Sequence, residues 1–132
     1  MDVLLLDSEG LSKTVARDRD VLAMLDEARL HFRARRLVSA VTLVEARDPS
    51  IPRARFDWAV SGMKVVPVSE QIARQASKLL AAARLHGHKY AIDAVVCATA
   101  LAEQGQVAIL TSDVEDIEVL TEGHPRIRTV KI

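Results

Sequence analysis

A single cysteine, Cys97, stands among 132 residues, which excludes an internal disulfide and is compatible with a reducing compartment. No apolar run approaches the roughly 18 residues of a membrane-spanning helix, and Asp2 lies where a secretory leader would carry positive charge. These absences predict a soluble, cytoplasmic protein with no membrane partner. Net charge is missing too, since 18 Lys and Arg balance 18 Asp and Glu. Nothing therefore draws the whole molecule to a polyanion, and nucleic acid would have to be met locally. Candidate basic stretches are Arg29 with Arg33, Arg35 and Arg36, then Arg47 with Arg53 and Arg55, then Arg84 with His86, His88 and Lys89. Internal repeats, linkers and low-complexity tracts are absent, so one domain over 1–132 is expected.

Hydrophobic residues make up 49% of the chain and charged residues 27%, the balance of an ordinary globular protein. The run Val3-Leu4-Leu5-Leu6 reads as a strand buried on both faces, as strands inside parallel sheets are, and it stops at Asp7. A weak helix over 10–16 follows, then a stronger one over 19–35 capped by Asp18, with Val21, Leu22, Leu25, Ala28 and Phe32 on one face. A strand over 37–39 precedes Thr42-Leu43-Val44-Glu45, the spacing of a capping box, in which a Thr hydroxyl and a Glu carboxylate satisfy each other's backbone amides. That helix should end before Pro49, and Pro52 can open the next, with Phe56, Ala59 and Val60 inward.

A strand over 64–68 is expected near a sheet edge because Pro67 has no amide to donate. Ser69 caps a helix over 70–85 that Gly87 should end, and a nearly all-apolar helix over 91–103 follows. The run over 107–111 is another buried strand that leads to an acid, Asp113, and a helix over 114–120 and a strand over 127–131 complete the chain. Alternating strands and helices predict a mostly parallel sheet with helices on both sides.

The acids carry the chemistry. Asp93 lies among Ile92, Ala94, Val95 and Val96, where an unpartnered carboxylate would bear a large desolvation cost. A buried Arg or a helix N-terminus is the structural explanation open to it. Asp7 and Asp113 have helix capping as theirs, with Ser112 and Glu115 offering a second capping-box spacing, and the capping box accounts for Glu45. Taken together they read differently. Parallel strands bring Asp7 and Asp113 to one sheet edge, with Glu45 and Asp93 at nearby helix starts. Carboxylates so gathered raise one another's pKa unless a cation joins them. Mg²⁺ or Mn²⁺ suits oxygen ligands and substrate phosphates, and the corresponding reaction is metal-assisted phosphodiester hydrolysis.

The chain resembles the PIN-domain ribonucleases, particularly the VapC-like toxins of bacterial type II toxin–antitoxin pairs. The resemblance spans essentially the whole chain. It rests on Leu5-Leu6-Asp7-Ser8, on Val38-Ser39-Ala40-Val41-Thr42-Leu43-Val44-Glu45, on Ile92-Asp93-Ala94-Val95-Val96-Cys97-Ala98-Thr99-Ala100-Leu101 and on Ile109-Leu110-Thr111-Ser112-Asp113. It implies a PIN-like three-layer α/β/α fold and a Mg²⁺- or Mn²⁺-dependent endoribonuclease. Asp7, Glu45, Asp93 and Asp113 match the family's acidic quartet, Asp116 an additional acid of some members, and Thr111 the hydroxyl residue that supports the first Asp. On this reading Asp7, Asp93 and Asp113 hold metal, with Asp116 and Glu45 as further candidate ligands, and Glu45 orients or deprotonates water. RNA is the implied substrate, a cognate antitoxin and a second copy in a homodimer the implied partners. Glu9 stands where many members carry a small residue, open to ligation, substrate repulsion or simple solvation, and Ile117 replaces a frequent aromatic.

Other residues are less informative. Cys97 follows Asp93 by one helical turn and reads as packing beneath the site, because nearby carboxylates suppress a thiolate. His86 and His88 lack partners at zinc spacing and read as loop residues, although His88 and Lys89 could contact RNA phosphate. Trp58 and Phe56 read as core or dimer contact. Phosphoryl transfer on a haloacid-dehalogenase-like or receiver-like sheet is a rival, but the former needs a second Asp at Glu9 and the latter an acidic pair around Asp7 and a strand-end Lys. The alternative of another class is a catalytically inactive PIN-like module that binds RNA or protein.

Overall fold

Four leucine- and valine-rich residues, Val3–Leu6, form β1, the middle strand of the molecule, and all four are buried. The computed structural model describes residues 1–132. On either side of β1 lie β2 (Arg35–Ser39) and β4 (Val107–Thr111), and β3 (Lys64–Val66) and β5 (Ile127–Lys131) form the edges. All four pairings are parallel, so every strand delivers its carboxyl end to the same edge. Leu6 pairs with Val38 and with Leu110, which sets the residues after β1, β2 and β4 side by side.

The pleat divides the core. Val3, Leu5, Leu37 and Ile109 face a layer made by α5 (Glu70–Ala83), α6 (Gly87–Ala102) and α7 (Val114–Leu120). Leu4, Leu6 and Leu110 face α2 (Arg19–His31). Val38 packs with α1 (Ser8–Val15), α3 (Ala40–Ala46) and α4 (Arg53–Ser61). The result is the expected three-layer α/β/α architecture, and its sheet is wholly parallel. At the start of α1 helix and sheet approach closely. A Cβ on Gly10 would lie 3.2 Å from the Leu6 side chain and 3.4 Å from the Leu110 carbonyl, so a larger residue would require Leu6 to give by a few tenths of an ångström.

Several boundaries correct the sequence reading. α2 ends at His31 because Arg33 takes a left-handed backbone (φ 51°), and Arg35 and Arg36 join β2. The N-cap of α3 is Ser39, whose hydroxyl accepts the Val41 N–H (3.3 Å), so Thr42 and Glu45 lie inside the helix and form no capping box. β3 stops before Pro67. α5 closes on Arg84 in the left-handed region (φ 55°), with its N–H directed to Leu80 and Ala81 carbonyls, and Gly87 opens α6 instead of ending α5. α6 therefore starts four residues earlier than its apolar pattern suggests, because His88, Lys89 and Tyr90 form a polar first turn.

Candidate active site

Asp7 leaves β1 and turns into α1 as its N-cap, with Oδ1 accepting the Gly10 N–H at 3.0 Å. It is 6% exposed, and burial raises its carboxyl pKa. The Thr111 hydroxyl and the Gly10 and Glu9 amides oppose that rise, while the Asp113 charge adds to it. The capping role predicted for Asp7 is thus real, and it holds the carboxylate at the sheet edge. Thr111 ends β4, and its Oγ1 accepts the Asp113 N–H (2.9 Å), which steadies the loop after β4 beside Asp7. Asp113 is the N-cap of α7 but makes no side-chain cap bond, contrary to the capping reading, and its exposed carboxylate remains available.

Asp93 lies in the second turn of α6, half-buried, and its carboxyl pKa is pushed up to about 6. Burial is the largest cause, followed by the charges of Asp113, Asp116, Glu45 and Asp7. The fold therefore brings four other acids, from the end of β1, from α3 and from the start of α7, within electrostatic reach of Asp93. Glu45 is exposed on α3 and receives the Ser8 hydroxyl (2.9 Å) from the first turn of α1. Neither Lys nor Arg forms an ion pair with any of the five, so the buried-Arg explanation of Asp93 does not hold.

The donor set is all carboxylate oxygen, as hard divalent cations prefer, and a cation would offset the repulsion that the protein leaves uncompensated. In chemistry the site fits Mg²⁺ or Mn²⁺. In geometry, no three His, Cys, Asp or Glu side chains converge closely enough to hold an ion. Asp113 and Glu45 sit on exposed positions, where rotamer changes are cheap; Asp7 is fixed by its cap bond and burial.

No protein-family model matches the sequence, and no curated protein matches it. Among solved structures, a toxin–antitoxin complex from Klebsiella pneumoniae aligns with TM-score 0.69 at 21% identity, over 98% of this chain and 99% of that one. VapBC2 from Rickettsia felis, bound to a DNA fragment from its promoter, aligns with TM-score 0.69 at 9% identity over 98% of both chains. DNA-bound VapBC from Salmonella typhimurium gives 0.67 at 15% identity, over 99% of this chain and 98% of that one. The chain has a PIN-like fold.

Within this PIN-like fold the remaining candidates separate. Glu9 sits on α1 and is not among the charges acting on Asp93; its amide, not its carboxylate, serves Asp7. Ile117 is fully buried in α7 as core. Cys97 is buried beneath Asp93, and burial together with the Asp93 charge pushes its thiol up to about 12, as a packing residue requires. Lys89 lies one turn before Asp93 on α6 with its ammonium 5.2 Å from the Tyr90 ring centre, and His88 stacks on His86 at 5.8 Å. Both open a helix, not a loop.

Trp58 is not core. It is 49% exposed on α4 with the Arg17 guanidinium 5.0 Å from its ring centre, whereas Phe56 is buried. Much of the basic surface has structural partners: Arg29 pairs with Asp26, Arg35 with Glu103 and Arg53 with Asp57, and Arg55 donates to the Val15 carbonyl.

Sequence reasoning missed two side chains here, Ser8 and Lys131, and misassigned a third, Thr42. Ser8, signalled only by following Asp7, holds Glu45. Lys131, at the end of β5 in register with Thr111, lines a cavity of about 230 Å³ with Asp113 and Asp116. Thr42 is fully buried with an unpartnered hydroxyl. Thr14 and Thr99 within helices, and Thr121 at the C-cap of α7, each donate to the carbonyl four residues earlier. Thr42 lies too near its helix start to do so, since the residue four before it belongs to β2.

Proposed function

We propose that this protein is a divalent-metal-dependent endoribonuclease, the toxin of a toxin–antitoxin pair. The observation that carries this reading is the gathering of five carboxylates at one sheet edge around Asp93 with no basic side chain paired to any of them. Asp7, Asp93 and Asp113 would hold Mg²⁺ or Mn²⁺, with Asp116 and Glu45 as further candidate ligands. A cation held there would supply the positive charge that makes water more acidic and offsets charge on the phosphodiester. Glu45, which receives the Ser8 hydroxyl, would orient or deprotonate the attacking water. Thr111 keeps Asp7 and the Asp113 loop in register. His88 and Lys89, on the same helix as Asp93, meet RNA phosphates.

The toxin assignment is supported by the shared fold with toxin–antitoxin chains, two of them in DNA-bound complexes. It carries with it a cognate antitoxin, encoded beside this chain, and a homodimer as the working unit. The second reading is a PIN-like module that binds RNA or protein without cleaving it, and the lack of a convergent ligand triad is the observation that favours it. Incubation of total RNA with wild type, Asp7→Asn and Asp93→Asn, with and without chelator, separates the two. A nuclease cleaves only as wild type with metal. A binding module cleaves in no case and still retains RNA, or its protein partner, in all three forms.

A further inference from the structure

A larger cavity than the one beside Asp113 lies away from the acids. It is a half-open groove of about 630 Å³ between α5, the C-terminal half of α6 and the segment that joins α7 to β5. Asp93 and Ala102, which lines the groove, are separated by roughly 14 Å along the α6 axis at 1.5 Å per residue. In a chain with equal numbers of acidic and basic residues, the groove lining holds Arg74, Lys78, Arg126 and His124 and no carboxylate.

The cations stand on two walls. Arg74 and Lys78 are one turn apart on α5, and so project from the same side of the helix. Arg126 and His124 come from the opposite segment. Lys78 is in no ion pair. Arg74 forms an exposed ion pair with Glu70 through its Nε (2.8 Å), and a guanidinium has five N–H groups, so its four terminal ones stay available as donors. Arg126 is fixed by three bonds to the end of α6, from Nη1 to the Glu103 and Gly105 carbonyls (2.7 and 3.2 Å) and from Nη2 to the Leu101 carbonyl (2.6 Å). Its position is therefore preset, with Nε and one terminal N–H unspent. Between the walls the floor is apolar, made by Ile72, Ala98 and Leu101, and Gln71 and Gln75 add amides at the side.

A bare inorganic anion would use the cations and leave the apolar floor unused. A hydrocarbon would waste the cations. We propose that the groove binds a nucleoside phosphate, its phosphates between the α5 pair and Arg126, its base and sugar against the floor and the glutamine amides. The volume lies within the range of small-ligand sites. The nucleoside phosphate is either free or the 5′ end of an RNA, and the inference stands independently of the acidic edge.

The test is calorimetric titration of the full chain, in EDTA so that the acidic edge cannot recruit metal. ADP and inorganic phosphate are titrated directly, and short RNA with either a 5′-phosphate or a 5′-hydroxyl is used to compete with ADP. Saturable ADP binding is expected, at least about tenfold tighter than inorganic phosphate and weakened about tenfold or more by Lys78→Glu and by Arg74→Glu. Both substitutions fall on exposed helix positions, and far-ultraviolet circular dichroism verifies their folding. Asp93→Asn should leave ADP binding unchanged. Competition by 5′-phosphorylated RNA alone assigns an RNA end as the source, and no competition assigns the free nucleotide. Four results overturn the proposal: no saturable ADP binding, phosphate binding as tight as ADP, indifference to both charge reversals, or equal competition by 5′-hydroxyl RNA.

Discussion

Replacing Asp93 by Asn should make the metal-free protein more stable at neutral pH, the reverse of the usual effect of changing a half-buried residue. Burial and the charges of Asp113, Asp116, Glu45 and Asp7 raise the Asp93 carboxyl from 3.8 to about 6. An acid whose pKa is raised by folding binds more protons in the folded chain than in the unfolded one between those values. Stability therefore falls as pH rises from about 4, and the loss is complete above about 6. A displacement of about two pH units corresponds to roughly 3 kcal/mol at about 1.36 kcal/mol per unit. Asp93 is only half-buried, and solvent screening reduces this to about 1–2 kcal/mol. Asparagine keeps the shape and removes the charge. Urea unfolding in EDTA should show Asp93→Asn more stable than wild type by about 1–2 kcal/mol at pH 7.5 and level with it near pH 4. A variant that is less stable at pH 7.5, or one that keeps the wild-type pH slope, would refute the electrostatic description of the acidic edge.

Other consequences are local. Arg126→Ala leaves three carbonyls at the end of α6 without their donor and should cost about 2 kcal/mol in urea unfolding; a loss below about 0.5 kcal/mol would mean that water replaces the guanidinium. Thr42→Val removes a buried hydroxyl that has no partner and should be neutral or stabilising by up to about 1 kcal/mol. Thr111→Val removes the acceptor of the Asp113 N–H and should cost about 1–2 kcal/mol. Equal effects at the two threonines would contradict this assignment of partners. Cys97, buried and with its thiol pushed up to about 12, should resist iodoacetamide in native protein at pH 8 and react fully once unfolded. Rapid native alkylation would show that α6 opens.

What could be read from the sequence divides by the range of the interaction. Val3–Leu6 and Val107–Thr111 are legible because a strand buried on both faces needs an unbroken apolar run. The acids after them are legible because parallel strands share one edge. The α3 cap was misread because Thr42 and Glu45 match a local pattern that Ser39, three residues earlier, satisfies first. Gly87 was misread because a left-handed C-cap ordinarily favours glycine, whereas here Arg84 takes that conformation. The partner of Glu45 is set by the packing of α1 against α3, with Ser8 thirty-seven residues away in sequence. The basic groove joins α5, α6 and the 124–126 segment, and none of these reads as basic alone.

The central claim is that the acids around Asp93 form a divalent-cation site. Calorimetric titration of Mn²⁺ into chelator-stripped wild type and Asp93→Asn tests it most directly. Saturable binding by wild type, abolished in the folded variant, is the predicted result. Folded wild type that takes up no Mn²⁺, or a variant that binds as well as wild type, would contradict it.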